Sequence, residues 1–444
     1  MTTAGAAAPA RQSLSKPAHR DGNVLRWLIA YAASVMGDSC YFLALGWAAA
    51  QIAGPAQVGM VMAVGAVPRA VLMLAGGVVA DRFDPRRVVI GSDAARALVI
   101  LGVAGALWLS RPGLWLLVAV ALVFGVVDAL FMPAVGALAP RLTGPDQFVR
   151  VQGLRMIVTR AGTTAGAPLA GFAMAYGRSA AAFAVAGTLF LASLALLWTV
   201  RVGALPPDDV PAERTTPWRD LTDGLGYIRR HRIVGPLVLS GAMSQLGIVP
   251  PLQVGAVLLA EERGWDMAGI GWILAAFGIG AGAGALALTV RGRFRRAGAA
   301  QNVLLVVASA AIGAIGVLPT VPGAAAVALG AGLLSGVCGG LAAALIQTNT
   351  AAAYQGRVAA VMALTFVGIA PLAFPLFGLA AEAVGVGPMF LVGGAVSACG
   401  AIVGVLSPEL RRASLPGAGG AGGADRAGGA GGAERSNPGR TGGG

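Results

Sequence analysis

The chain has 444 residues, of which 57% are hydrophobic and only 11% are charged, against about 25% charged in an ordinary soluble domain. This composition excludes a soluble enzyme, a disordered chain and a secreted disulfide-rich domain. The formal net charge of +13 would suit nucleic-acid binding, but the Lys and Arg residues cluster in the tails and in short connections between apolar blocks. Because membrane topology places basic residues there, we predict a polytopic membrane protein that binds no nucleic acid.

Apolar blocks of about 20 residues, the length that crosses a bilayer as a helix, recur along the whole chain. Twelve are predicted, at residues 24–50, 56–80, 88–109, 114–137, 150–175, 179–200, 233–260, 267–290, 300–319, 322–346, 357–382 and 387–406. An even number of spans places both termini on one side. Arginines concentrate in the connections on that side, while the opposite connections hold only Arg111, Arg178 and Arg263. The positive-inside rule therefore predicts cytoplasmic termini.

The longest polar stretch between predicted spans follows the sixth span and divides the chain into two sets of six. Its first part is broken by prolines, which predicts a linker. Its second part places Trp218, Leu221, Leu225 and Ile228 at helical spacing, which favours a helix on the inner membrane surface over a solvated charged loop. The predicted segments are a cytoplasmic tail (1–23), an N-terminal six-helix half (24–200), the linker (201–232), a C-terminal six-helix half (233–406) and a disordered Gly- and Ala-rich cytoplasmic tail (407–444).

The two sets of six spans show a moderate internal repeat. A shift of 207 residues lays residues 150–171 over residues 357–378 and aligns Pro168 with Pro375. A parallel repeat of this kind occurs in one large class of transporters. We therefore expect the two halves to share one design.

The connection between the second and third spans reads GGVVADRFDPRR. A small residue such as Gly77 allows close helix approach, and Asp81 can bond an arginine at the cytoplasmic seam. The pattern resembles the signature of the major facilitator superfamily. That resemblance implies an all-α membrane protein of twelve helices in two pseudo-symmetric halves, alternating access, and a gating latch; the alternative is that the arginines only set topology. The residues of this motif are Gly77, Asp81, Arg82, Arg86, Arg87, Asp93 and Arg96.

The fifth predicted span carries glycines and a proline in a pattern similar to the glycine-proline motif of the superfamily's proton-coupled antiporters. Glycines at this spacing also occur in ordinary close helix packing. Gly37-Asp38, Pro68-Arg69 and SDAAR at 92–96 further resemble the branch that contains the enterobactin exporter and related drug-efflux proteins, which implies proton-driven export of an amphipathic small molecule. The antiporter-like residues are Gly153, Gly162, Gly166, Pro168 and Gly171.

Several charged residues fall near the middle of predicted spans, where one charge costs about 2.5 to 3.5 kcal/mol. This cost predicts that they face one another or a wet cavity. Depth allows Asp38 to pair with Arg69, and Asp128 to pair with Arg155 or Arg160. Separating such a pair would favour proton uptake by the carboxylate, so Asp38 is the first candidate proton carrier and Asp128 the second. The alternative is a set of permanent salt bridges.

The C-terminal half lacks these charges and is expected to supply an apolar binding wall. The sequence contains neither HExxH nor GxxxxGK[ST], so we predict no metal, no cofactor and no enzymatic activity. We expect a monomeric secondary transporter of the cell inner membrane that exchanges protons for a small-molecule substrate. The alternatives are an uptake carrier or facilitator of the same fold, and a membrane scaffold or membrane-embedded enzyme. Candidate wall residues are Gln245, Trp272, Phe277, Asn349, Phe366 and Phe374.

Overall fold

The computed structural model describes residues 20–82, 84–110, 113–144, 147–203, 217–291 and 296–414. Side chains are not described at 73–82 and at a few single positions, which are 149, 217, 218, 220, 267, 289, 291 and 352. The predictions for residues 1–19, the proline-broken part of the linker and most of the C-terminal tail lie outside the described residues.

Five helices make up the first half. The fifth is 52 residues long, and its backbone leaves helical geometry at Gly177 and at Arg178, where φ is 56° and ψ is −160°. It therefore runs as two consecutive passes. The helices are α1 (Gly22–Ala50), α2 (Pro55–Arg82), α3 (Pro85–Leu109), α4 (Leu114–Leu138) and α5 (Phe148–Thr199).

The linker and the second half contain ten helices within the described residues. A π-helical turn at Pro251–Gly255 joins two of them, because the adjacent prolines 250 and 251 cannot donate backbone hydrogen bonds. The helices are α6 (Pro217–Arg230), α7 (Val234–Pro250), α8 (Ala256–Arg263), α9 (Met267–Arg291), α10 (Ala297–Ile315), α11 (Val321–Asn349), α12 (Gln355–Gly368), α13 (Ala370–Val384), α14 (Val386–Leu406) and α15 (Pro408–Arg412).

In the described part of the chain, eleven helical stretches are long and apolar enough to cross a membrane. One of them, Arg150–Thr199, contains the break at Gly177 and Arg178 and thus counts as two passes. The total then matches the twelve spans that the sequence predicts. Apolar block length fixes these spans because each backbone polar group must be paired inside its own helix within lipid.

The second part of the linker forms α6, which packs on the second half. Ile228 is buried with Val234, Leu345 and Val358, and a Cβ atom added at Gly224 would lie 2.7 Å from the Arg357 carbonyl oxygen. Part of the apolar side of α6 therefore contacts protein, whereas Leu225 is exposed. Contact of α6 with the membrane surface stays a prediction.

The ends of the helices define two ends of the bundle. The linker end holds Gly22, α6 and α15, and the far end holds the connections at residues 51–54 and 264–266. The two halves pack closely at the far end, where Gly59 of α2 lies against the Phe374 backbone of α13. Nearby, the Ala56 amide donates a hydrogen bond of 3.2 Å to the Glu382 carboxylate. Small residues at this seam allow backbones to touch, so the far end is closed.

Glycines also permit a close crossing of α9 and α11. A Cβ atom added at Gly332 would collide with the Phe277 carbonyl oxygen, and one added at Gly336 would collide with the Ala281 carbonyl oxygen. The spacing of four residues places both glycines on one face of α11. The backbone of α9 therefore occupies the space that larger side chains would need.

This crossing predicts that Gly332→Ala lowers the free energy of unfolding by about 1 to 3 kcal/mol, because backbone atoms must move to admit the methyl group. The matched control is Gly330→Ala in the same helix, where an added Cβ meets nothing within 4 Å; alanine there is expected to be neutral or slightly stabilising. Thermal unfolding of the purified protein in detergent measures both. Equal stability of the two variants would contradict the assigned crossing.

Candidate functional site

Five charged side chains on four helices of the first half form one group, which we name the charge cluster. The Arg96 guanidinium lies at its centre, with Nη1 2.9 Å from Asp38 Oδ1 and Nη2 2.6 Å from Asp93 Oδ1. Asp128 Oδ1 lies 3.8 Å from Arg96 Nη1. Its second oxygen, Oδ2, lies 2.9 Å from Arg69 Nε but without hydrogen-bond geometry. That contact is therefore purely electrostatic.

The start of α3 sets the position of its two cluster residues. Pro85 occupies the first turn, and the Asp84 side chain accepts a hydrogen bond from the Arg86 amide (3.4 Å). Proline at the first position and aspartate at the N-cap are favourable at helix starts. Three residues separate Asp93 from Arg96, so both lie on one face of the helix.

The contact between Asp93 and Arg96 is fully buried, and hydroxyl groups hold the carboxylate. Both side chains are 0% exposed. The Asp93 carboxylate accepts from the Ser34 hydroxyl (3.2 Å) and from the Ser193 hydroxyl (2.5 Å). Ser193 lies in the second pass of α5, so the network ties three helices together. A buried ion pair is tolerated when most of its remaining lone pairs and protons are satisfied; here both Asp93 oxygens and both terminal nitrogens of Arg96 are paired, whereas Arg96 Nε has no hydrogen-bond partner among the described residues.

Aromatic rings enclose the Arg96 guanidinium. Its central carbon lies 3.8 Å from the centroid of the Phe131 ring and 4.8 Å from that of Phe190. Phe124, at 5.9 Å, stacks in turn on Tyr41 at 3.7 Å. These rings attract the cation electrostatically, and because they exclude water they strengthen its ion pairs.

The charge cluster has one partly exposed edge. The Asp38 side chain is 22% exposed and that of Arg69 is 33% exposed, whereas that of Asp128 is 4% exposed. The cluster holds three carboxylates and two guanidiniums, and among the described residues no other basic side chain lies within 4.0 Å of these carboxylates. With every group ionised the cluster would carry one excess negative charge, which is costly at this depth. A proton on one carboxylate removes that cost.

The predicted pairing of Asp38 with Arg69 is wrong, because Arg69 contacts Asp128 and Asp38 contacts Arg96. The cause is a close crossing of α2 and α4, where a Cβ atom added at Gly65 would lie 3.0 Å from the Ala121 carbonyl oxygen. Arg69 lies one turn after Gly65 on the same face. That crossing therefore carries Arg69 to α4 and away from Asp38.

The predicted pairing of Asp128 with Arg155 or Arg160 is also wrong. Neither arginine lies within 4.0 Å of Asp128, and Arg160 is exposed. Arg69 occupies the position at Asp128 that these arginines were expected to fill. Arg155 and Arg160 thus lie outside the charge cluster.

Sequence reasoning assigned Asp93 and Arg96 to the cytoplasmic gating motif and missed their place at the centre of the cluster. The available signal is an acid and a base three residues apart inside an apolar helix, an arrangement that requires burial or pairing. Ser34 and Ser193 carry no comparable signal. Serines are common in membrane helices, and only the fold shows which of them meet Asp93.

The remaining residues of the predicted gating motif lie at the linker end. The side chains of Gly77, Asp81 and Arg82 are outside the described residues, so the latch stays a prediction. Arg86 donates a hydrogen bond of 2.9 Å to the Trp198 carbonyl, and Arg87 is exposed.

The glycine-proline motif makes contacts on two faces of α5. Added Cβ atoms would lie 3.1 Å from Val35 Cγ1 at Gly162 and 2.6 Å from Ser39 Cβ at Gly166, so both glycines allow α1 to approach closely. Pro168 lies across the seam between the halves from Gly271 of α9, where a Cβ atom added at Gly271 would lie 3.0 Å from Pro168 Cα. Gly171 is buried, and an added Cβ at the exposed Gly153 meets nothing. Close packing accounts for the contacts of Gly162, Gly166 and Pro168.

The candidate wall residues lie at several separate places in the structure, and their role in substrate binding stays a prediction. Phe374 is 4% exposed and packs in the far-end seam, and the Asn349 side chain donates to the Leu345 carbonyl (2.8 Å) at the linker end of α11. Trp272 borders a separate apolar cavity of about 480 Å³ between α9 and α11. Helical spacing alone does not distinguish a residue packed in the far-end seam from one at the linker end of a helix or one beside a cavity. The two partly buried wall candidates are Gln245 and Phe277, and the exposed one is Phe366.

Metal binding has no candidate residues in the described part of the chain, where no group of three or more His, Cys, Asp or Glu side chains is arranged to hold an ion. The chemistry that the charge cluster offers is proton exchange and ion-pair rearrangement. Both depend on the partly exposed edge at Asp38 and Arg69.

The central position of Arg96 predicts that Arg96→Gln destabilises the protein by about 3 to 5 kcal/mol, because the substitution leaves buried carboxylates without a cation. The control is Arg141→Gln at the linker end, since Arg141 forms a partly exposed pair with Asp84 at 3.2 Å and exposed pairs contribute about 0 to 1 kcal/mol. Thermal unfolding in detergent reports both. A loss no larger for Arg96→Gln than for the control would show that the cluster does not hold these helices together.

Comparison with known proteins identifies the family. Residues 27–375 match the family model of the Major Facilitator Superfamily. The enterobactin exporters EntS of Shigella boydii serotype 18 and of Escherichia coli O127:H6 are each 28% identical over 289 residues, which cover 64% of this chain and 67% of theirs.

Solved structures with the same fold include the nucleoside transporter NupG, with a TM-score of 0.65 at 13% identity over 87% of this chain and 99% of that one. A bacterial homolog of the human lysosomal transporter Spinster, in an inward-facing and occupied conformation, has a TM-score of 0.67 at 12% identity over 89% of this chain and 97% of that one. At this identity the likeness concerns the fold alone. Together with the family match and the twelve passes, it establishes that the chain belongs to the major facilitator superfamily of membrane transporters.

Proposed function

We propose that this transporter exports amphipathic small molecules in exchange for protons, by alternating access, and that Asp38 carries the proton. The observation that carries the proposal is the composition of the charge cluster, with three carboxylates, two guanidiniums and one partly exposed edge. Asp38 is the carboxylate at that edge that contacts the buried Arg96. It can therefore exchange a proton with water while the rest of the cluster stays dry.

The cluster offers a fixed pair and an exchangeable pair. Asp93 and Arg96 are held by the Ser34 and Ser193 hydroxyls, so this pair stays in place. Asp38 contacts the same guanidinium through a single oxygen at 2.9 Å. When α1 moves relative to α3, the Asp38 contact breaks first and its carboxylate takes up a proton, because a lone carboxylate at that depth is costly. Return of the contact releases the proton. Asp128 with Arg69 is the second candidate for the same exchange.

The far-end seam couples this step to alternating access. Asp38 lies on α1, and Gly46 lies two turns further along the same helix. A Cβ atom added at Gly46 would lie 3.5 Å from Val257 Cγ2 of α8, so α1 and α8 are in contact there. Opening the far end separates α1 from the second half at this contact. A tilt of α1 would then reach Asp38 and change its distance to Arg96. Closed seams with few large side chains separate at modest cost.

Export is the direction that the similarity to enterobactin exporters supports, and an amphipathic solute fits the apolar second half. The linker end is proposed to face the cytoplasm, because Arg86, Arg141, Arg201 and Arg229 lie there and the positive-inside rule applies. One proton per solute suffices energetically. A hundredfold gradient of neutral solute needs about 2.7 kcal/mol, and one charge crossing about 120 mV releases roughly that much.

The test uses purified protein as a monomer in liposomes, with its orientation measured by protease access to the C-terminus. Enterobactin and an amphipathic fluorescent dye serve as probes, and an imposed pH gradient drives transport. Asp38→Asn keeps the shape of the side chain but cannot titrate. We expect gradient-driven accumulation by Asp38→Asn to be at least about tenfold lower than that of the parent, whereas exchange of substrate down its own gradient is retained. Asp223→Asn on α6, outside the cluster, is the control and should behave as the parent.

The rival functions give different results in the same assay. Flux of the parent that ignores the pH gradient would indicate a facilitator, and accumulation driven toward the linker end would indicate uptake. No flux of either probe by correctly oriented parent protein would favour a scaffold. Gradient-driven accumulation by Asp38→Asn at the parental level would remove Asp38 from the mechanism.

A further inference from the structure

The first half holds a second basic site, at its linker end, which we name the arginine pocket. It has a volume of about 660 Å³ and is bordered by Arg26, Arg86, Arg201 and the last turn of α5, including Trp198. We propose that the arginine pocket binds the phosphate headgroup of an anionic phospholipid. The inference is independent of the proposed transport activity and concerns a surface remote from Asp38.

Hydrogen bonds fix the walls of the arginine pocket. The Arg86 side chain donates to the Trp198 carbonyl (2.9 Å) and so satisfies one of the free carbonyls at the end of α5. The Asn23 side-chain amide donates to the Arg201 carbonyl (2.6 Å), and its oxygen accepts from the Arg201 amide (2.8 Å). These bonds join the start of α1, the start of α3 and the end of α5. The pocket is therefore preformed, which lowers the cost of binding.

Among the described residues, nothing compensates the charge around the pocket. No described carboxylate lies within 4.0 Å of Arg26, Arg86 or Arg201, and the buried Arg86 Nε atom has no hydrogen-bond partner among the described residues. Two neighbouring acids are engaged elsewhere, since Asp84 binds Arg141 at 3.2 Å and Asp21 accepts from the Asn23 amide at 2.8 Å. Guanidinium groups bind phosphate oxygens in bidentate geometry. A phosphate would supply the missing negative charge.

The apolar surroundings of the pocket favour a lipid over a soluble phosphate. Trp198 is 67% exposed beside the arginines, and Ile29, one turn from Arg26 on α1, and Leu191 on α5 are also exposed. Exposed tryptophan at the end of a membrane span is typical of the level of the lipid headgroups. Basic pockets between membrane helices on the cytoplasmic side bind anionic headgroups. Arginines for the phosphate and an apolar surface for the chains thus lie side by side.

A competing occupant within the chain is the acidic part of the linker, with Asp208, Asp209 and Glu213. This segment follows Arg201 closely and carries negative charge. Its apolar residues Leu205 and Val210 are two single side chains among prolines and acids, whereas a lipid brings two continuous acyl chains to cover Trp198 and Ile29. The lipid therefore matches the apolar surface better than the linker does.

Native mass spectrometry of the full chain in detergent tests the inference, with phosphatidylglycerol as the probe and phosphatidylcholine as the zwitterionic comparison. The variant is Arg26→Gln with Arg201→Gln, which leaves Arg86 in place to close α5. At about 1 kcal/mol for each arginine, we expect phosphatidylglycerol to bind about thirtyfold more weakly. The control is Arg229→Gln with Arg230→Gln on α6, two exposed arginines at the same end, and we expect it to match the parent.

Three outcomes of these binding measurements would overturn the inference. Equal weakening in both double variants would show nonspecific attraction to the basic end. Displacement of phosphatidylglycerol by equimolar inorganic phosphate would show a site for free phosphate. Tight binding that appears only after Asp208→Asn with Asp209→Asn would show that the linker occupies the pocket. Unchanged thermal unfolding without lipid verifies that Arg26→Gln with Arg201→Gln is folded.

Discussion

The structure of the first half depends on one buried cation. The Arg96 guanidinium has no exposed surface, contacts Asp38 and Asp93 directly and lies 3.8 Å from Asp128. A charge in that position is tolerated only because carboxylates, hydroxyls and aromatic faces surround it. Its partners come from α1, α3, α4 and the second pass of α5, so the same contacts that satisfy the charge also set how these helices pack. Any movement of α1 that carries Asp38 away changes the balance of charge in the cluster.

The second half shows what the fold requires without this chemistry. Under the 207-residue shift of the internal repeat, Asp38 corresponds to Gln245, Arg96 to Val303 and Asp128 to Ser335. The second half packs through glycine crossings such as Gly332 against Phe277 instead. The architecture therefore does not need buried charge. Its presence in one half alone, with a partly exposed edge, supports a role in coupling in addition to its role in packing the helices of the first half.

The sequence was sufficient for the architecture and insufficient for the site. Apolar block length predicts the passes because a membrane helix must pair its own backbone groups, and the gap between the predicted spans 150–175 and 179–200 coincides with the break at Gly177 and Arg178. Depth in the membrane identified Asp38, Arg69 and Asp128 as members of a charged site. It could not identify their partners.

Partner choice depends on helix crossings that a single sequence does not encode locally. The contact of Gly65 with Ala121 carries Arg69 to Asp128, and the same face of α3 brings Arg96 to Asp38. Neither crossing follows from spacing along one helix. The wall candidates are dispersed for a related reason, since Phe374 and Trp272 are both apolar residues in spans but lie in the far-end seam and beside a separate cavity. At the linker end the arginines that set topology also build a pocket, which composition alone would not separate.

The most direct test of the central claim is to detect a proton on Asp38 within the charge cluster. Infrared difference spectra of the purified transporter between acid and alkaline conditions report the carbonyl stretch of protonated carboxylic acids shielded from water. We predict one such band in the parent protein and its loss in Asp38→Asn, with the band kept in Asp223→Asn. An identical band in Asp38→Asn and the parent, or no band in the parent, would contradict the account of proton exchange at this cluster.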